Sequence, residues 1–374
     1  MSSIASSLLL LVALGAPTVF ANIGLRHGWA RVVAYVWVGI LAAGTVLLGL
    51  SVLVILALSA TQPNALNAHV PLPVFVGATM ILTLGVPVSM TAVFAAPLRL
   101  RLARHLPLDP GNPVHLVALA LLAISFASAL LQQVLLTAIP AFANQVFASA
   151  NYTSLDIAVG EAPFVVIGFL GVGLFVRRDL GQSMRRLGLV RPTWGQLALG
   201  LAAAGALYLA SDGLERLGMW LTPGLSRQLA QNTQGLFGHL TDPVSALIVG
   251  LAAGIGEEIL FRGALQPRLG IVSTAVLFGV VHLNYGVSFS LLSVVMVAVV
   301  LSVLRRYANT STTIVTHATL DVIALGVSGW VVYPLTISMT IVLGGLAALA
   351  MRRGGAEPGG PVSATTPLDV PSRS

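Results

Sequence analysis

The segment 256–268, GEEILFRGALQPR, places Glu257, Glu258 and Arg262 at the end of an apolar run where a membrane helix would lie. A charge in hydrocarbon costs about 2.5–3.5 kcal/mol even on lenient insertion scales, so such residues need partners or a purpose. Glu258 and Arg262 are four residues apart and can pair on one helix face. Glu257 points about 100° away from that face, so its partner must come from another helix.

Two more pairs with the same spacing follow within about seventy residues. Phe278 and His282 are four residues apart, and so are His317 and Asp321. Residues four apart share one helix face, so each pair projects into one space. Intramembrane ionisable groups usually face a bundle interior or a water-filled cavity. Acids and imidazoles gathered there could hold a metal ion or activate a water molecule.

Each pair taken alone also has a structural interpretation. Glu258 with Arg262 favours a structural ion pair, Phe278 suits packing, and a single His282 suits a hydrogen-bonded packing histidine. His317 with Asp321 could be a pair on a helix surface. The ordered triple on neighbouring membrane helices is much more specific than any of its parts. The histidines in loops or at predicted helix ends are given no role: His27, His69, His105 and His239.

The composition is that of a polytopic membrane protein. Of 374 residues, 56% are hydrophobic and only 8% are charged, whereas soluble domains carry about 25% charged residues. The mean hydropathy is +0.94. Cysteine is absent, which excludes disulfides and thiolate chemistry. The net charge of +7 comes from arginine alone and lies mostly in short loops, which indicates membrane orientation rather than nucleic-acid binding.

The hydrophobic pattern predicts an all-α transmembrane bundle of about eleven spans. They are expected at residues 4–25, 32–60, 74–98, 114–139, 157–176, 195–214, 244–265, 271–285, 288–304, 312–327 and 331–351. The eighth is short, and the ninth has no ionisable residue in its apolar core, so it is interpreted as a spacer.

Arginines follow every second predicted span and therefore give an orientation. They are Arg26 and Arg31, then Arg99, Arg101 and Arg104, then Arg177, Arg178, Arg185, Arg186 and Arg191, then Arg262 and Arg268, then Arg305 and Arg306, then Arg352 and Arg353. The alternate loops hold only Arg216 and Arg227. Because cytoplasmic loops carry the excess of positive charge, the N-terminus is predicted outside and the C-terminus in the cytoplasm.

The chain divides into four predicted regions. Residues 1–140 form accessory transmembrane helices with almost no intramembrane ionisable groups, and residues 141–242 form connecting helices and loops. Within the latter, the polar stretch 215–242 is predicted to be a loop over the outer mouth of the bundle. Residues 243–351 hold the catalytic motifs, and the Gly-, Pro- and Ser-rich tail 352–374 is predicted to be disordered.

At its three motifs the sequence resembles the CPBP intramembrane proteases, also called the Abi or type II CAAX-prenyl endopeptidase family. The motifs here are Glu257-Glu258-Ile-Leu-Phe-Arg262, Phe278-Gly-Val-Val-His282 and His317-Ala-Thr-Leu-Asp321. The resemblance extends over residues 243–351, with an Arg186-Leu-Gly-Leu segment before it. Members of the family often have Asn where this chain has Asp321, although an acid is tolerated there. An ionised Asp cannot donate a hydrogen bond to an oxyanion.

The resemblance implies hydrolysis of a peptide bond inside the membrane, in a membrane-associated or CAAX-type peptide. Glu257 would be the general base, and His282 would hold the same water or a metal ion. His317 and Asp321 would orient groups, stabilise the oxyanion or complete a metal site. The implied catalytic set is Glu257, Glu258, His282, His317 and Asp321, supported by Arg262 and Phe278. If Zn²⁺ is bound, Glu257, His282 and His317 are the expected ligands.

Two other classes of membrane protein use similar residues. A proton- or cation-coupled transporter could use the same acids and histidines, but it would be expected to show inverted repeats and broken helices at the midplane, and neither is clear here. A catalytically silent immunity or scaffold protein could share the fold. The protease interpretation is favoured over both, with a peptide or membrane-protein substrate and the bilayer as the expected partners.

Overall fold

The computed structural model describes residues 3–105, 108–148 and 152–353. The chain is 84% helical and has no strand in the described part, so the predicted all-α class is confirmed. The tail predicted to be disordered lies outside the described residues from 354 onward. An all-helical chain is what the bilayer requires, because every backbone polar group must be paired within its own segment.

Fifteen helices, labelled in chain order, form the described part of the chain. They are α1 (Ser3–Ile23), α2 (Gly28–Ser59), α3 (Leu72–Phe94), α4 (Ala96–His105), α5 (Pro113–Ala138), α6 (Pro140–Ala148), α7 (Ser154–Gly171), α8 (Leu180–Leu187), α9 (Trp194–Leu221), α10 (Pro223–Phe237), α11 (Pro243–Glu258), α12 (Gln266–Val281), α13 (Phe289–Tyr307), α14 (Thr310–Gly326) and α15 (Val332–Arg352). A π-helical turn, Ile259–Leu265, joins α11 to α12.

Nine helical segments in the described residues are long and apolar enough to cross a membrane. One of them, Pro243–Val281, contains both α11 and α12 and is interrupted at Gly270, whose φ of 77° is not helical. α14 has 17 residues, which is at the lower end of the length range for a span, and it is not among the nine. These two features account for the difference from the eleven predicted spans. The protein is a multi-pass membrane protein.

The predicted loop at residues 215–242 is mostly helical. α9 continues to Leu221, seven residues beyond its predicted end, and α10 follows at Pro223–Phe237. Proline is favoured at the first helical position, which suits the start of α10. The polar composition suggested a loop, but α10 turns its polar residues outward and buries Leu229. This stretch is therefore a surface helix, and the loop assignment was wrong.

α11 lies at the centre of the bundle that carries the three motifs, between α7 and α14. Its glycines permit this close approach. A Cβ built on Gly254 would lie 2.8 Å from the backbone N of Ala318 in α14, and one built on Gly256 would lie 2.6 Å from Oε2 of Glu161 in α7. Larger residues at these positions would push the neighbouring helices away.

Four of the first five helices form a separate apolar core. Its buried residues come from α1, α2, α3 and α5 and include Val38, Val86 and Val117. α1 also packs against α7, where the Asn22 amide donates to the Leu170 carbonyl at 3.1 Å. A groove of about 560 Å³, lined mainly by apolar side chains, separates this core from α12.

Candidate active site

The first motif spans the junction where α11 gives way to the π-helical turn. Glu258 is the last residue of α11 and Arg262 lies in the turn. Single π-turns inside helices often occur at functional sites. Both side chains are fully buried, and Arg262 Nη1 lies 2.7 Å from Glu258 Oε1. Arg262 also lies 3.4 Å from the carbonyl of Ala298 in α13, so the predicted spacer helix contributes to the site.

Glu258 links the first motif to the third. Its Oε1 also lies 3.0 Å from Nδ1 of His317, in α14. Since a carboxylate accepts hydrogen bonds, Nδ1 of His317 is the protonated nitrogen and Nε2 faces the cavity. A carboxylate behind an imidazole fixes the orientation of the ring in many metal and catalytic sites. Glu258 therefore positions His317 in addition to pairing with Arg262.

His282 is held in a comparable way by the backbone. It lies immediately after α12, and its Nδ1 donates to the Phe278 carbonyl at 2.8 Å. A carbonyl can only accept, so the Nε2 of neutral His282 carries the free lone pair. The rings of His282 and Phe278 stack with centroids 4.6 Å apart. The i,i+4 spacing predicted this contact, although His282 lies just past the helix rather than within it.

The carboxylate of Glu257 lies near the rings of both histidines. Its Oε1 lies 3.9 Å from Nε2 of His282, and its Oε2 lies 3.9 Å from Nε2 of His317. The Glu257 side chain is 12% exposed, and those of His282 and His317 are 25% and 9% exposed. Separations of this size exceed a direct hydrogen bond and leave room for a bridging water. The structure thus supplies from two other motifs the partners that Glu257 lacks in its own helix.

Asp321 completes the set of predicted site residues. Its Oδ2 lies 3.6 Å from Nε2 of His317, one helical turn away in α14. This is within ion-pair range and beyond a direct hydrogen bond. Asp321 and Glu257 therefore both lie within 4 Å of the same nitrogen of His317.

Phe278 packs at the centre of the motif residues. Its ring lies 4.4 Å from the Arg262 guanidinium and 6.1 Å from the His317 ring. Phe261 contacts the same ring edge-on at 5.1 Å. A cation over an aromatic face is stabilised by the ring quadrupole, and more so where water is excluded. Phe278 is thus a packing residue, as the sequence indicated, and it packs against three functional side chains.

Two polar residues near the site were not predicted from the sequence. Glu161 of α7 lies against Gly256 and is within electrostatic range of Glu257, His317 and Asp321. Its Oε2, like Oε2 of Glu257, is buried without a hydrogen-bond partner among the described residues. An acid inside an apolar span is itself a signal of function, and that signal was available for Glu161.

Tyr285 is the second of these residues. It follows His282 in a short 3₁₀ turn, and the two rings are nearly parallel, with centroids 6.4 Å apart. A cavity of about 20 Å³ lies between this turn and α10. α10 therefore covers the side of the site next to Tyr285.

The site offers donor groups of the kind that zinc prefers. Two imidazole Nε2 atoms with free lone pairs and one carboxylate form a common zinc donor set, and each histidine has an oriented Nδ1. The 3.9 Å separations from Glu257 are wide, and no group of three acids or histidines in the described part of the chain is spaced to hold a metal ion. The types of donor atom suit zinc. In the arrangement seen here, however, the donors are not spaced closely enough to hold an ion.

Comparison with known proteins identifies the segment that carries the motifs. Residues 239–323 match the family model described as type II CAAX prenyl endopeptidase Rce1-like, and this confirms the resemblance predicted from the three motifs. No curated protein and no solved structure matches the chain. Residues 239–323 are thus similar to the Rce1-like type II CAAX prenyl endopeptidases, and this similarity supports a peptidase embedded in a membrane.

Proposed function

We propose that this protein is an intramembrane endopeptidase in which Glu257 and His282 activate a water molecule for attack on a peptide bond. The observation that carries the proposal is the convergence of two imidazole Nε2 atoms on the two oxygens of Glu257, each at 3.9 Å. A water between Glu257 and His282 would be held by both groups.

In the proposed reaction, Glu257 is the general base. It removes a proton from the water as the water oxygen attacks the scissile carbonyl carbon, and a tetrahedral oxyanion forms. The proton then passes from Glu257 to the amide nitrogen as the C–N bond breaks, which releases an amine and a carboxylic acid. A positioned general base contributes about 10²–10⁴-fold to such a step.

His317 is proposed to stabilise the oxyanion, with Asp321 and Glu258 as its supports. Glu258 accepts from Nδ1 at 3.0 Å, and Asp321 Oδ2 lies 3.6 Å from Nε2. Two carboxylates near one imidazole favour its protonated form, in which Nε2–H donates to developing negative charge. This gives Asp321 a role that does not require it to donate a hydrogen bond itself.

If zinc is bound, Glu257, His282 and His317 would hold it. The ion would then act as a Lewis acid and make its bound water a stronger acid. Dialysis of the active protein against 1,10-phenanthroline distinguishes the two forms of the proposal. Loss of cleavage that added Zn²⁺ restores assigns a metal to the site, and unchanged cleavage assigns the water to Glu257 and His282 alone.

The substrate is proposed to be a membrane-associated or CAAX-type peptide, cleaved in the cell membrane. The arginine pattern supports eleven spans with the N-terminus outside and the C-terminus in the cytoplasm. Reporter fusions after Arg186 and Arg353 should then report the cytoplasm, and one near Gln62 should report the exterior. An exterior signal at Arg353 would contradict this orientation.

Substitution of Glu257 tests the catalytic proposal. Glu257→Gln keeps the size of the side chain and removes the proton acceptor, so cleavage should fall by about 100-fold or more. The measurement is cleavage of a membrane-peptide library by the reconstituted full-length protein, normalised to protein amount. Undiminished cleavage by this variant would reject the mechanism.

Glu357→Gln is the matched control, because it makes the same chemical change in the C-terminal tail, outside the three motifs. It should cleave at the wild-type rate. A wild-type protein that cleaves nothing, but conducts protons or metal ions in a manner that needs Glu257, would replace the protease with a transporter.

A further inference from the structure

Five arginines from four segments of the chain gather at one end of the bundle. They are Arg177 and Arg178 after α7, Arg186 in α8, Arg268 in α12 and Arg305 in α13. We call them the arginine cluster. Arg186 is within electrostatic range of Arg178, Arg268 and Arg305, and Arg177 is within range of Arg178, Arg186 and Arg268.

The packing of α8 holds the cluster in place. The C-terminal residue of α8, Leu187, is fully buried, and its carbonyl accepts from the Thr310 hydroxyl at 2.6 Å. The next residue, Gly188, has a φ of +75°, and a Cβ built there would lie 2.5 Å from Arg305 Nη2. Arg305 thus lies directly over the end of α8, in a space that only glycine leaves open.

The cluster lacks negative partners. No member forms an ion pair in the parts of the chain that the structure describes. The Nε atoms of Arg177 and Arg305 are buried and have no hydrogen-bond partner there. The nearest acid in the sequence, Asp179, instead caps α8 by accepting from the Gln182 amide at 2.8 Å.

The electrostatics of the cluster are unfavourable without an anion. Burial, followed by repulsion from neighbouring arginines, lowers the pKa of Arg177 and of Arg186 to about 10. Both groups stay charged at neutral pH. Partly buried like charges destabilise a fold unless opposite charge is supplied, so this arrangement favours the binding of an anion.

We propose that the arginine cluster is a binding site for a phosphate-bearing anion. Guanidinium groups match phosphate oxygens with paired, charge-assisted hydrogen bonds. Phosphate at this place has two sources, the headgroup of an acidic phospholipid and free phosphate. The headgroup is favoured, because arginines at the cytoplasmic ends of spans face the anionic leaflet.

The test uses the full-length protein in neutral detergent and follows its thermal unfolding midpoint. The first arm titrates sodium phosphate against sodium chloride at equal ionic strength. The second adds phosphatidylglycerol, with phosphatidylcholine as the neutral comparison. A midpoint raised by both probes supports a general phosphate site, and one raised by phosphatidylglycerol alone supports the lipid headgroup. A midpoint raised by inorganic phosphate alone supports the free anion, and no shift with either probe overturns the proposal.

Matched variants separate the site from general surface charge. Arg186→Gln and Arg305→Gln remove cluster members, whereas Arg185→Gln and Arg306→Gln remove the exposed neighbouring charges. The cluster variants should bind the active probe about tenfold more weakly, and the neighbours should bind like wild type. Equal weakening by all four would overturn the proposal.

The same variants give a second measurement in chloride alone. Arg186→Gln relieves repulsion there, so its unfolding midpoint should equal or exceed that of wild type. A lower midpoint in the absence of phosphate would mean that Arg186 serves packing, and it would count against the site.

Discussion

The helices before residue 140 and the helices that carry the motifs are held together by different contacts. The core of the first group contains small apolar residues such as Ala34, Val38 and Ala120. Several of its buried threonines bond within their own helices, as where Thr79 donates to the Phe75 carbonyl at 2.8 Å. That group therefore depends on close packing of apolar side chains.

The motif helices are joined instead by polar groups that cross from one helix to another. Gln266 donates to the Ser302 carbonyl at 2.7 Å, and His317 pairs with Glu258 at 3.0 Å. In a membrane, helix association has no hydrophobic driving force, so interhelical hydrogen bonds and small residues set the arrangement. These hydrogen bonds between helices fix the geometry of the motif helices. They also make the motif helices more sensitive to single substitutions than the first group.

The largest effect is expected at the buried ion pair. Glu258→Gln leaves Arg262 fully buried without its counter-charge and replaces the carboxylate that accepts from His317 by a neutral amide. Breaking such a pair costs about 3–5 kcal/mol, so the variant should unfold at a much lower denaturant concentration or fail to accumulate. The measurement is denaturant unfolding in detergent, together with protein level in membranes.

A double substitution checks the origin of that loss. Glu258→Gln combined with Arg262→Leu removes both charges, so it should regain much of the stability lost by the single change. It should remain inactive, because the imidazole of His317 is no longer backed by a carboxylate. A double variant as unstable as the single one would show that the ion pair is not the cause.

The second effect depends on how closely two helices pack at a glycine. One glycine from each group is compared. Gly254→Ala places a methyl group against the backbone of Ala318, which cannot yield as a side chain can, so about 1–3 kcal/mol should be lost. Gly77 of α3 has open space around it, so Gly77→Ala should be neutral or stabilising by up to about 1 kcal/mol. Unfolding of both variants in one detergent gives the comparison, and equal losses would contradict it.

The sequence could predict the residues whose placement in a membrane costs the most free energy. Glu257, His282 and His317 were found because ionisable groups in apolar helices have few reasons to be there. The all-helical class followed from hydropathy for a similar reason. Family resemblance added the expected roles, which spacing alone had left open.

Features set by tertiary contacts were missed. Glu161 has no partner four residues away and belongs to no motif, so only the approach of α7 to Gly256 connects it with the site. The π-helical turn after Glu258 has no signal in the composition of its residues. The polar composition of α10 predicts a loop, because it gives no sign that Leu229 is buried.

The third effect tests whether Glu161 belongs to the site. The Glu161 carboxyl group lies within electrostatic range of Glu257, but it forms no ion pair with either histidine in the described residues. Glu161→Gln should therefore lower kcat by about tenfold, less than Glu257→Gln, and change the pH profile of cleavage. A variant with wild-type kcat and an unchanged pH profile would place Glu161 outside the site.

The smallest effect is expected when a hydroxyl group is removed from a fully buried threonine. One such threonine in each group allows the comparison. The Thr79 hydroxyl donates to Phe75 in its own helix, where the carbonyl is already bonded within the helix. The Thr310 hydroxyl crosses from α14 to the Leu187 carbonyl at the end of α8. Valine has nearly the same shape as threonine, so both substitutions remove a hydroxyl and little else.

Thr79→Val should change the free energy of unfolding by no more than about 0.5 kcal/mol, because no buried group loses its partner. Thr310→Val leaves the buried Leu187 carbonyl without its donor, which costs about 1–3 kcal/mol. Because Leu187 lies between Arg186 of the arginine cluster and Gly188, Thr310→Val should also weaken phosphate binding, whereas Thr79→Val should not. Denaturant unfolding with and without phosphate measures both effects. Equal free-energy changes for the two variants would show that hydrogen bonds between helices do not distinguish the motif helices from the first group.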